Sequence, residues 1–159
     1  FLIFFLSHLF SDKFELIFSI LWSRIMKKTL IKIKVRYCET DQMGIVHHSS
    51  YINYFEHSRI QWIKKNGFSY KELELSGLIL PVSKLNVTYL SPAFFDDELT
   101  IETELMEVPS SKLIFDYLVF RNNIVITKAQ TILAFVNKVS KKPMKCPKEI
   151  YNKVSSLFL

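Results

Sequence analysis

Two cysteines in 159 residues, Cys38 and Cys146, are too few and too far apart for a disulfide framework or a zinc site. They fit a reducing compartment, so the expected location is cytoplasmic. Zinc-finger spacing, arginine-rich tracts and runs of glycine and aromatics of the RNP kind are absent, which argues against a nucleic-acid partner. An unbroken apolar run of about 20 residues is also missing, so no integral membrane span is expected. Residues 1–25 come nearest, with sixteen apolar residues, but Asp12, Lys13 and Glu15 interrupt them. No basic stretch precedes that segment and no small-residue cleavage site follows it, as a secretory signal would require. The first Met is Met26, and six of the fourteen Phe lie before it. The reading is an apolar extension over 1–25, outside the natural protein, and one domain over 26–159. A surface helix over 14–22 is the less favoured alternative.

What is present describes a globular chain. It is 49% apolar and 23% charged, and long enough for a sizeable core. Residues 1–25 carry two charges of each sign, so the net charge of +6 belongs entirely to residues 26–159. A lysine-rich solvated surface accounts for this charge. The sharper alternative is attraction of an anionic, nucleotide-bearing ligand.

Residues 32–37 alternate strictly, as a half-buried strand does. A helix is predicted over 50–65, with Ser49 or Ser50 as its cap and Asn66-Gly67 as its stop. Tyr51, Phe55 and Trp62 form one apolar stripe, which Ile52 and Ile63 widen. Glu56 and Arg59, three apart, are expected to pair on the helix surface. A short helix or turn follows over 68–77. Strands are then predicted over 80–89, 98–108, 112–121 and 124–139. Asn122-Asn123 forms a two-residue hairpin turn, since both residues tolerate positive φ. Residues 148–157 close the chain as a short helix. One strand, one long helix and an antiparallel meander make an α+β fold.

The thirteen residues 39–51, which run from beyond the first strand into the start of the long helix, hold Asp41, Gly44, His47, His48 and two serines. A carboxylate beside a helix start is placed for carbonyl chemistry. The first helical N–H groups lack intrahelical partners and carry partial positive charge, so they can polarise a carbonyl oxygen while the acid acts on its carbon.

Three anchors make the chain resemble the hotdog-fold acyl-CoA thioesterases of the 4-hydroxybenzoyl-CoA thioesterase-like family, in particular its Tol-Pal-associated branch. The first is Val35-Arg36-Tyr37, then residues 40–46, then His48, Tyr51 and Phe55-Glu56. The second is Tyr89-Leu90-Ser91-Pro92-Ala93 with Asp96-Asp97-Glu98-Leu99. The third is the order of elements from Met26 onward. The resemblance implies a hotdog fold, a curved antiparallel sheet wrapped round one long helix, assembled as a homodimer or homotetramer. It implies hydrolysis of acyl-CoA to a free acid and coenzyme A, without a cofactor. Asp41 would be the catalytic carboxylate, as nucleophile or general base, and the backbone N–H of His48 would bind the thioester oxygen. Gly44, Val46 and Tyr51 would contact substrate. The alternatives are an acyl group on a carrier protein, favoured by the basic surface, and a non-catalytic acyl-CoA-binding scaffold. A metal site from Cys38, His47, His48 and His57 is disfavoured, because these residues do not converge. The lysines at 138, 141, 142, 145 and 148 are read as a solvated loop, or as a contact for the phosphates of coenzyme A.

Overall fold

In the computed structural model, which describes Ile17 and residues 27–158, the alternating segments form a sheet. Strand β1 (Lys28–Lys34) leads into a 3-10 turn (Tyr37–Glu39) and the long helix α1 (His48–Lys65). Helix α2 (Tyr70–Leu75) and strands β2 (Leu78–Ile79), β3 (Val82–Tyr89) and β4 (Glu98–Leu105) follow. Then come β5 (Lys112–Arg121), β6 (Ile124–Ala134), β7 (Val136–Asn137), helix α3 (Lys148–Ser155) and a last 3-10 turn (Ser156–Phe158). Five strands pair in the order β1-β4-β5-β6-β3, all antiparallel, and β2 pairs with β7. The expectations for residues 1–25, and a start at Met26, fall outside the described residues, Ile17 apart. Among the described residues no helix is long and apolar enough to cross a membrane.

Period-two patterning decides which face of the sheet is covered. In β4, Leu99, Ile101, Thr103 and Leu105 point inward; in β5, Leu113, Phe115, Tyr117 and Val119 do so. Helix α1 lies against that face with Tyr51, Tyr54, Phe55, Trp62 and Ile63 buried. Trp62 meets Phe115 edge-on with ring centroids 5.2 Å apart, and Phe55 packs on Tyr117 at 4.8 Å. Full burial of a large apolar side chain stabilises by about 1.5–3 kcal/mol, so these contacts dominate the attachment of the helix. The Trp62 indole N–H also donates to the Lys27 carbonyl at 2.6 Å, which pins the C-terminal part of α1 to the start of β1. The N-terminus of α1 therefore sits at the other end of the sheet, where β1 ends and β4 begins.

Several boundaries differ from expectation, each for a local reason. The strand predicted from residue 80 begins at Val82, after Pro81, which has no N–H to pair. The strand predicted over 124–139 ends at Ala134 and resumes as β7, which leaves the main sheet to pair with β2. The hairpin turn is as read, with φ of 51° at Asn122 and 64° at Asn123. Ile52 does not widen the buried stripe of α1, being 45% exposed. The expected Glu56–Arg59 pair does not form. Position 59 shares the sheet-facing stripe with Phe55 and Trp62, so Arg59 is buried and donates to the Tyr117 hydroxyl at 3.3 Å. Glu56 stays exposed.

Candidate active site

The loop that carries Asp41 is closed on itself. Thr40 and Val46 form an isolated antiparallel bridge, and the Asp41 N–H donates to the Ile45 carbonyl at 2.9 Å. Gly44 turns the chain at φ +78°, in the left-handed region that suits glycine, and its N–H returns to the Asp41 carbonyl at 2.9 Å. Oδ1 of Asp41 accepts the Met43 N–H at 2.8 Å. The other carboxylate oxygen, Oδ2, has no protein partner among the described residues. The side chain is thus oriented by one oxygen and leaves the second available.

Helix α1 starts immediately beyond this loop, two residues earlier than predicted. Its N-cap is His47 rather than a serine: Nδ1 of His47 accepts the Ser49 N–H at 3.4 Å and lies 2.7 Å from the Ser49 hydroxyl. Ser50 is drawn inward instead, and its hydroxyl donates to the Glu39 carbonyl at 3.0 Å. His48 is the first helical residue, and among the described residues its N–H has no acceptor. Its exposed imidazole stacks on His47, with centroids 4.1 Å apart.

A second segment backs the loop. The Val46 N–H donates to the Ala93 carbonyl at 2.8 Å, and Ile45 bridges Phe94. Asp97 holds this crossing in place: its carbonyl accepts the Val35 N–H at 2.9 Å, and its carboxylate accepts the Phe94 N–H at 2.8 Å and Arg121 Nη1 at 3.2 Å. Loop and segment enclose an open cleft of about 440 Å³, within the usual range for small-molecule sites. Asp41, Val46, His48 and Tyr51 line this cleft, whereas Gly44 does not. Burial pushes the phenol of Tyr51 above its ordinary pKa, so it stays neutral in a mostly apolar wall.

Sequence reasoning missed two contributors. Tyr89 lines the cleft and donates its hydroxyl to the His48 carbonyl at 3.1 Å. It lay in plain view within the Tyr-Leu-Ser-Pro-Ala anchor, which carries no catalytic signature by itself. Glu39, two residues before Asp41, is buried and salt-bridged to Arg36. Among the described residues no cluster of His, Cys, Asp or Glu is arranged to hold a metal. The lysines at 138, 141, 142, 145 and 148 are exposed and do not line the cleft.

Comparison with known proteins identifies the family. A family model described as the thioesterase-like superfamily matches residues 35–154. An acyl-CoA thioesterase YbgC of Haemophilus influenzae is 33% identical over 119 residues, covering 74% of this chain and 88% of that protein. An acyl-CoA thioester hydrolase YbgC of Escherichia coli is 31% identical over 128 residues, covering 79% and 96%. The crystal structure of a DHNA-CoA thioesterase from Staphylococcus aureus superposes with a TM-score of 0.77 at 30% identity, over 82% of this chain and 93% of that one. The match runs through the Asp41 loop, the long helix and the strands that cover it, and by that extent the chain belongs to the thioesterase-like superfamily, with the hotdog fold.

Proposed function

We propose that the protein hydrolyses acyl-CoA thioesters to a free acid and coenzyme A, with Asp41 and the backbone of His48 as its catalytic groups. One observation carries this reading: Asp41, with one carboxylate oxygen unpartnered among the described residues, and His48, whose N–H has no acceptor among them, line the same cleft. A thioester carbonyl seated there accepts the His48 N–H, and the positive end of α1 stabilises the charge that develops on its oxygen. Asp41 then acts in one of two ways. Attack by Oδ2 on the carbonyl carbon expels the coenzyme A thiolate and leaves an anhydride that water cleaves. Alternatively, the same oxygen takes a proton from water, and the water attacks. The His48 side chain stands at the rim, where it contacts the acyl group or orients water. Val46 and Tyr51 form the apolar wall beneath the acyl group, and Gly44 sets the turn that presents Asp41.

The partner we assign is a second copy of the chain. Of the two outer strands, β1 carries Lys28, Lys32 and Lys34, which discourage edge pairing. Strand β3 carries only Lys84, and Val82 is 47% exposed on it. Pairing of two β3 edges would join the sheets of two copies into one and give the homodimer that the resemblance implies. Free thiols and a coenzyme A substrate both fit the cytoplasm.

The test is thiol release from a panel of acyl-CoAs by the wild type and by Asp41→Asn. Loss of turnover in the variant is expected, and undiminished turnover overturns the assignment. The same acyl chain presented on an acyl carrier protein separates the two carriers, because the net charge of +6 would also draw an acidic carrier. Single turnover in ¹⁸O water bears on the two routes: label in Asp41 arises only from the anhydride, by attack of water at the Asp41 carboxyl carbon.

A further inference from the structure

A second carboxylate stands behind the site. Glu39 is 8% exposed and does not line the cleft. Its Oε2 accepts the Tyr54 hydroxyl at 2.7 Å and the Arg36 N–H at 2.8 Å. Its Oε1 accepts Arg36 Nε at 3.0 Å and Nη2 at 2.8 Å. Its own carbonyl accepts the His47 N–H at 2.8 Å and the Ser50 hydroxyl at 3.0 Å. One residue is therefore bonded forward to the second turn of α1, backward to the exit from β1, and across to the helix cap. The loop bearing Asp41 begins at Thr40 and closes at Val46, so it hangs between Glu39 and His47.

Burying a carboxylate is unfavourable unless every lone pair is answered, and an apolar side chain of similar size commonly stabilises as well or better. Stability alone therefore does not explain a charge here. What the charge does is fix two segments whose spacing matters. The side chain holds the 3-10 turn against Tyr54, which aims the Glu39 carbonyl at the start of α1. Misplacement of a reacting group by about 1 Å can cost about 10²-fold in rate.

We infer that Glu39 is a positioning residue. Through Tyr54, Arg36 and the cap of α1 it sets the distance between the Asp41 carboxylate and the His48 N–H, and so governs kcat rather than substrate binding. The inference rests on the roles of Asp41 and His48 proposed above.

The experiment compares Glu39→Gln, Tyr54→Phe, their double variant and Asp41→Asn in the full chain, by thiol release from one acyl-CoA, with near-UV circular dichroism on each sample. Glu39→Gln is expected to lower kcat about 10- to 100-fold with KM changed less than about threefold, the signature of an interaction used in the transition state. Tyr54→Phe, which leaves the carboxylate in place, is expected to lower kcat about 3- to 10-fold, and the double variant to be little worse than Glu39→Gln alone. A kcat for Glu39→Gln within about twofold of wild type overturns the inference, as does a loss that merely tracks the folded fraction. Should Glu39→Gln fail to fold, Tyr54→Phe decides, and an unchanged kcat there overturns it. The Asp41→Asn arm separates the two claims. An inactive Asp41→Asn beside an intact Glu39→Gln sinks the positioning role only, whereas full turnover by Asp41→Asn removes its premise.

Discussion

The hydroxyl of Tyr89 donates to the carbonyl of His48 at 3.1 Å, joining the last residue of an edge strand to the first residue of the long helix. The Tyr89 ring also packs on Tyr51, with centroids 5.2 Å apart, so one side chain both walls the cleft and steadies the helix end. Tyr89→Phe keeps the wall and removes the bond. Because Tyr89 is half-exposed, the stability change should stay below about 1 kcal/mol. The rate should nonetheless fall about 2- to 10-fold, since the helix start is then less well oriented. Thermal melting and kcat, measured on one preparation, check both halves of this expectation.

Asp41 has two duties, and two substitutions separate them. Asn at this position still offers Oδ1 to the Met43 N–H, so the loop should survive. Ala removes that acceptor as well, and should destabilise by a further 0.5–1.5 kcal/mol or about that. Both variants should lose at least about 10²-fold in turnover, because neither retains a nucleophile or a base. Equal melting temperatures for wild type and Asp41→Asn, with a lower one for Asp41→Ala, are the expected pattern.

Ser58 on α1 and Thr103 on β4 are both fully buried and hydrogen-bond one another across the core. Thr103→Val strands the serine hydroxyl, and Ser58→Ala strands the threonine. Each single change should cost about 1–3 kcal/mol. The double variant Ser58→Ala with Thr103→Val should cost less than the sum, because no polar atom is then left unpaired. Urea denaturation of the four proteins in the cycle measures this directly, and strict additivity would deny the pair any coupling.

What was legible in the sequence was what neighbouring residues decide. Asn122 and Asn123 announced a hairpin because the conformation they need is a property of each residue alone. Strand β5 was bounded correctly because alternation and its flanking turns are local. The Asp41 loop was legible as a pattern of residue types, but the helix beyond it starts two residues earlier than its serines suggest, with His47 as the cap. Arg59 was misread because a surface-pairing rule assumes solvent on both partners, and only the packing of α1 on Tyr117 reveals otherwise. Glu39 was invisible for a related reason. Its role depends on Tyr54, fifteen residues away in sequence, and no spacing rule links an acid in a 3-10 turn to a hydroxyl in a later helix. Tyr89 likewise reaches His48 only because the sheet order brings β3 alongside the helix end.

Glu39 also predicts how the fold responds to acid. Burial by itself would raise its pKa, but the Arg36 N–H, the Tyr54 hydroxyl and the Arg36 guanidinium outweigh that and hold it below the ordinary carboxylate value of 4.5. A group depressed in the folded state binds its proton more readily when unfolded, so stability rises with pH across the interval between the two values. Its contribution is therefore complete above about 4.5 and is lost as pH falls through the lower folded value. Glu39→Gln has no such proton to take up. Its melting temperature should start lower near neutrality, since Gln cannot replace a charge-assisted contact with Arg36. Below about pH 4 it should fall less steeply than that of the wild type, so that the two curves converge. Melting followed by circular dichroism from about pH 7 to about pH 3 tests this, and parallel curves over that range would show that Glu39 is not held ionised by its partners.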